Sequence, residues 1–170
     1  PDVFRLLEQT AAAFAVATDD PAHLSWEKII VRREWARWRW KGPVDHELVS
    51  AILERARERG DHEEIAWCLW VLYDHASRLD DRATVLACAE ESLSLRRSLD
   101  DPFYTAHVLV GYGIACMNVN QRERAFASLY ESIAIRDRLG EKMGVLGTLS
   151  MLGVMLVHQV RFAEAESCLN

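Results

Sequence analysis

The chain has 170 residues, half of them hydrophobic, with 26 acidic against 20 basic side chains and a formal charge of −6. That balance opposes sequence-independent attraction to a polyanion, and the length suffices for one core of ordinary size. No basic, apolar and small-residue succession marks a signal peptide and no run of about 18 apolar residues offers a membrane span, so a cytoplasmic chain without membrane contact is expected.

Residues 2–17, DVFRLLEQTAAAFAVA, predict a helix with Leu7, Ala11, Phe14 and Ala17 along one side. Asp19-Asp20-Pro21 follows it, and a second helix is predicted over 24–40. The end of that helix, REWARWRW at 33–40, holds three tryptophans and three arginines in eight positions. Such a cluster can stack bases and neutralise phosphates, or anchor a protein partner. On a helical wheel, however, Val31, Trp35 and Trp38 share one side, while Trp26, Ile29, Ala36 and Trp40 share nearly the opposite one. Two apolar stripes suit a helix covered on two sides. The tryptophans therefore read as packing, with arginine stems over apolar surface and their heads in water, and no direct nucleic-acid contact is expected.

A third helix is predicted over 45–59, DHELVSAILERARER, closed by Gly60. From there the chain repeats. Residues 61–100 align with 101–140 without a gap, placing Asp61 on Asp101, Ala66 on Ala106, Leu69 on Leu109, Glu91-Ser92 on Glu131-Ser132, and Arg96 on Arg136. Residues 141–170 continue in phase, with Leu149 under Leu109, Gly153 under Gly113, Ala165 under Ala125 and Leu169 under Leu129. Each unit reads as two helices and a tight turn. Asp61 with Glu64 forms a capping box, Asp101 precedes a first-turn proline, and Gly60 and Gly140 can close helices in the left-handed conformation.

The expected organisation is one array over 1–170. Residues 2–18 form the second helix of an earlier repeat, 21–60 a degenerate repeat, 61–100 and 101–140 full repeats, and 141–170 a truncated one. Register in 19–45 stays open by one residue, because Asp19-Asp20-Pro21 precedes Asp100-Asp101-Pro102 by 81 positions rather than 80. Without an initiator Met or a polar terminal cap, the chain is expected to be an excised array.

These residues resemble the tetratricopeptide repeat. The motif is carried by Leu109-x-x-Tyr112-Gly113-x-x-Cys116 with Ala125-x-x-x-Leu129, and by Leu149-x-x-Leu152-Gly153-x-x-Leu156 with Ala165-x-x-x-Leu169. The 61–100 unit departs from it where Tyr73 replaces the small residue. The 40-residue period exceeds the usual 34 and is similar to arrays in bacterial multidomain signalling ATPases and transcriptional regulators. The resemblance implies an all-α fold, a right-handed superhelical solenoid of antiparallel helix pairs. It also implies a non-catalytic scaffold whose concave groove binds a protein or peptide, as the sensor arm of a larger regulatory protein, with other domains of the parent chain as partners. The alternatives are a free-standing adaptor or a fragment of a peptide-pheromone receptor. Carried over position by position, the groove residues would be Trp67, Trp70, Asp74, His107, Val110, Ile114, Ser150 and Val154.

No enzyme signature competes with this reading. The six histidines form no H-E-x-x-H, and neither a phosphate loop nor a G-x-S-x-G elbow is present. Asp74 with His75, and His107 with Cys116, lack a third orienting group. Cys68, Cys88, Cys116 and Cys168 are too dispersed for a metal knuckle or redox pair and read as core thiols. No catalytic residue, metal or cofactor is expected.

Overall fold

The computed structural model describes residues 2–13, 22–39, 42–159, 164, 166 and 167, and these are all-helical, without strands. The helices are α1 (Asp2–Ala13), α2 (His23–Arg39), α3 (His46–Arg59), α4 (His62–Arg78), α5 (Arg82–Ser98), α6 (Pro102–Asn118), α7 (Arg122–Arg138) and α8 (Lys142–His158). The predicted helices over 24–40 and 45–59 therefore begin and end within a residue of α2 and α3. Phe14, Ala17, Trp40, Ala165, Cys168 and Leu169 lie outside the described residues.

The helices α4 to α8 each have 17 residues, and each of α5 to α8 starts 20 residues after the one before it. The turn chemistry explains this regularity. Gly60, Asp80, Asp100, Asn120 and Gly140, again 20 residues apart, all adopt positive φ, between 51° and 70°. Behind each, the next residue's N–H reaches back to a helix carbonyl: Asp61 to Ala56, Asp81 to Ala76, Asp101 to Arg96, Gln121 to Cys116 and Glu141 to Arg136, at 2.8–3.4 Å. The turn residue's own N–H reaches back as well, Gly60 to Arg57, Asp80 to Ser77, Asp100 to Arg97, Asn120 to Met117 and Gly140 to Asp137. This pair of hydrogen bonds is the Schellman motif, which satisfies carbonyls that a helix end would leave bare.

The same residue then starts the next helix. Asp61, Asp81 and Asp101 accept the N–H of Glu64, Thr84 and Tyr104, each at 3.1 Å. Stop and start thus share three residues. Only half of the expected capping box at 61–64 is made. The Asp61 N–H is already committed to Ala56, and the Glu64 carboxylate turns inward to Arg32 instead.

The chain divides into two compact units, Pro1–Leu95 and Arg96–Asn170. In the first, α1 packs on α2, α2 on both α3 and α4, and α3 on α4. In the second, α6 packs on α7 and α7 on α8. Ala106 pairs with Ser132 and Gly113 with Ala125, so one helix descends as its neighbour climbs. A Cβ built at Gly113 would lie 3.1 Å from the Ala125 carbonyl oxygen and 3.3 Å from the Leu129 side chain, so glycine sets the distance between α6 and α7. Leu129, Leu152 and Leu156 are fully buried there, each contributing on the order of 1.5–3 kcal/mol by leaving water.

Side chains repeat as the backbone does. The Ser132 hydroxyl donates to the Ala106 carbonyl at 2.7 Å, and 40 residues earlier Ser92 donates to Ala66 at 3.3 Å. Buried Arg136 bonds both carboxylate oxygens of Glu141 at 2.7 and 2.8 Å, and buried Arg96 bonds Asp101 at 3.4 Å. Cys68, Cys88 and Cys116 are buried free thiols.

Candidate functional site

The candidate groove residues fall on three first helices, one turn apart along each. On α4, Trp67 and Trp70 are half-buried, whereas Asp74 is only 4 % exposed. Trp67 is held from two directions, with the Arg32 guanidinium 4.6 Å above its ring and the edge of Trp35 at 6.1 Å. Trp70 stacks on Tyr73 at 4.9 Å, nearly parallel. Burial, with Asp74 beside it, pushes the Tyr73 hydroxyl up to about 12, so the phenol stays neutral. Both indoles thus present rigid half-open faces.

In the second unit His107 is exposed, while Val110 and Ile114 are half-covered by the cluster of Leu129, Leu152, Met155 and Leu156. Ser150 is exposed and its hydroxyl donates to Leu146 of its own helix at 2.9 Å. Val154 is 52 % exposed. Within each unit the structure brings neighbouring candidates onto one helix face, aromatic on α4 and aliphatic on α6 and α8.

A third arrangement escaped the sequence reading. Glu27, Glu34 and Glu64 are 0 % exposed. Glu27 accepts from Arg55 and, at 2.7 Å, from Arg59. Glu34 binds Arg33 at 2.8 Å, Arg37 at 3.1 Å and the Asp45 N–H at 3.0 Å. Glu64 takes Arg32 on one oxygen, and its other oxygen has no donor among the described residues. Burial therefore raises the Glu64 carboxyl above its ordinary range, although Arg32 opposes the shift.

This corrects the expectation for the arginines in and beside the Trp–Arg cluster: Arg32, Arg33 and Arg37 are only partly exposed, and their heads pair with buried carboxylates on α2 and α4 as well as with water-facing Glu8 and Glu63. A charge cannot enter the interior unpaired, so these glutamates bring the arginines in with them. The signal was present in the sequence as Glu27-x-x-Ile30-x-x-x-Glu34, acidic residues at helical spacing on one face with an apolar residue.

Around the turns, a cleft of about 420 Å³ in the second unit is lined by Arg97, Asp100, Pro102, Thr105, Ile135 and Leu139, among others. Arg97 pairs with Glu131 across it at 2.7 Å, and none of the groove candidates lines it.

The weighed acid–base pairs stay apart. His107 is exposed and Cys116 fully buried, nine residues and about 13 Å farther along α6. His75 is stacked on His46 at 4.4 Å, whereas its neighbour Asp74 is buried. Among the described residues no group of three or more His, Cys, Asp or Glu side chains could hold a metal ion, and no helix is long and apolar enough to cross a membrane. Comparison of the chain with protein families, characterised proteins and solved structures finds no match.

Proposed function

We propose that the chain is a non-catalytic protein- or peptide-binding array of tetratricopeptide type, its antiparallel helix pairs stacked as a right-handed solenoid, and that it serves as the sensor arm of a larger bacterial regulatory protein. The observation that supports this reading is the 20-residue phase of helices and left-handed turns from Gly60 to Gly140. A strict phase presents equivalent faces of successive first helices, which is how repeat proteins build extended binding surfaces.

The chemistry on those faces favours apolar or aromatic ligand side chains over a terminal carboxylate. Trp67 and Trp70 offer large surfaces at low entropic cost, and no Lys or Arg stands among the eight candidate positions.

Titration with peptide pools tests the reading through tryptophan emission, because all six tryptophans lie within residues 26–70. A saturable change that Trp70→Ala abolishes is the expected result, and no response to any pool overturns it. The regulatory role has a separate test in the flanking coding sequence. A phosphate-binding loop or helix-turn-helix beside the array supports the sensor arm, and a capping helix followed by a stop overturns it.

A further inference from the structure

The cleft of about 420 Å³ in the second unit lies where α5 ends, α6 begins and α7 ends, and all its lining residues fall between Arg97 and Leu139. Part of it belongs to the repeat. Arg97 pairs with Glu131 at 2.7 Å as Arg57 pairs with Glu91 at 2.8 Å forty residues earlier. The side chains of that earlier pair stay 41 % and 43 % exposed although the chain runs on past them, so a following repeat does not by itself close this edge.

The rest of the lining departs from the repeat. Asp100, Thr105 and Arg138 stand where the earlier unit has Gly60, Ile65 and Ser98. Threonine for isoleucine shortens the side chain by one carbon and adds a hydroxyl. Asp100 takes a left-handed φ of 51° at the turn position that Gly60 and Gly140 hold in the units on either side. Glycine adopts that conformation without strain, so the turn itself does not call for an aspartate. Thr105 and Ile135, 5 % and 8 % exposed, are the buried part of the lining, and Pro102 and Leu139 add exposed apolar wall.

Two charges of opposite sign remain open on this lining. Arg97 is taken by Glu131, and Asp101 by Arg96 and the Tyr104 N–H. The Arg138 Nε–H donates to the Ala134 carbonyl at 3.3 Å, and its terminal nitrogens have no side-chain partner among the described residues. The exposed Asp100 carboxylate has none there either. We propose that the cleft binds a small zwitterion with an aliphatic body, an amino acid or a dipeptide, its ammonium on Asp100, its carboxylate on Arg138 and its side chain against Pro102, Ile135 and Leu139. One cation and one anion beside an apolar wall complement that ligand and disfavour those bearing a single charge. The inference is independent of the groove, none of whose candidate residues lines the cleft.

Calorimetric titration of the full chain with leucine and with leucyl-leucine is expected to show saturable binding of at least one, and the tighter probe reports the spacing of the two charges. The N-acetyl and carboxamide forms of that probe should each bind at least tenfold more weakly. Asp100→Gly and Arg138→Ser restore the residues of the earlier unit, so both should keep the far-ultraviolet dichroism of the parent while weakening binding at least tenfold. With Asp100→Gly, acetylation of the probe should cost nothing further, because the partner of the ammonium is already gone. Thr105→Ile narrows the cleft at its buried floor and should abolish binding. Saturation by neither probe overturns the proposal, as does loss of affinity at only one of Asp100 and Arg138, which leaves a site for a single charge. Binding indifferent to Thr105→Ile overturns it too, because the probe then sits elsewhere.

Discussion

Glu27 and Glu64 are both fully buried, yet their surroundings differ. Glu27 is held by two arginines and lies 3.4 Å from the His23 ring, whereas Glu64 has one arginine and an oxygen without a donor. Glu27→Gln should therefore cost about 1–3 kcal/mol at pH 7, less than a fully enclosed pair because Arg55 and Arg59 can turn to water. Glu64→Gln should cost less, since burial beside a single arginine already disfavours its charged form. Equal urea midpoints for the two variants would contradict this ordering. At Gly113 the Cβ test leaves no space, so Gly113→Leu should lose roughly 1–3 kcal/mol by overpacking. Asn120→Gly should gain about 0.5–1 kcal/mol, because glycine adopts the left-handed turn without strain. A lower thermal midpoint for Asn120→Gly would contradict the turn argument.

The helix hairpin of α3 and α4 carries a built-in pH dependence. His75, in the last turn of α4, stacks on His46 at the start of α3. Burial, then His46, then Arg78 lower the His75 pKa below 6.5. The unfolded chain therefore binds the extra proton first. Stability from this site is fully present above pH 6.5 and declines as pH falls from there toward the folded-state value. Tryptophan-monitored urea curves between pH 8 and 5 should show that decline, and His75→Gln should flatten it. The α4 cap acts differently. Burial raises Asp61, but the Glu64 N–H and Lys28 outweigh it and hold the carboxyl low, so the cap survives this range.

Across the whole molecule the tryptophans confer an experimental asymmetry. All six lie in the first compact unit, whereas circular dichroism reads the helices of both. Repeat proteins unfold according to unit and neighbour stabilities rather than as one block. Gly113→Leu weakens the second unit, so it should lower the midpoint seen by dichroism more than the one seen by fluorescence. Identical shifts in both signals would establish a single cooperative transition instead.

The 40-residue period was legible in the sequence because repeated packing needs repeated side chains. Ala66 with Ser92 and Ala106 with Ser132 recur for the same hydrogen bond, and Leu69 and Leu109 are both buried. Gly60 and Gly140 announced two of the left-handed turns, but Asp80, Asp100 and Asn120 did not, since Asp and Asn serve equally in caps and loops. The Trp–Arg cluster was visible and its packing role was read, yet the destination of the arginine heads was not. Arg32 meets Glu64 and Arg55 meets Glu27 across about thirty residues of chain, and local periodicity carries no information about such partners. Helix type, length and spacing follow from short-range backbone and capping chemistry, which a linear pattern records. Burial of three carboxylates, the cover over Val110 and Ile114 and the openness of Val154 depend on which surfaces meet in space, and only the tertiary structure decides that.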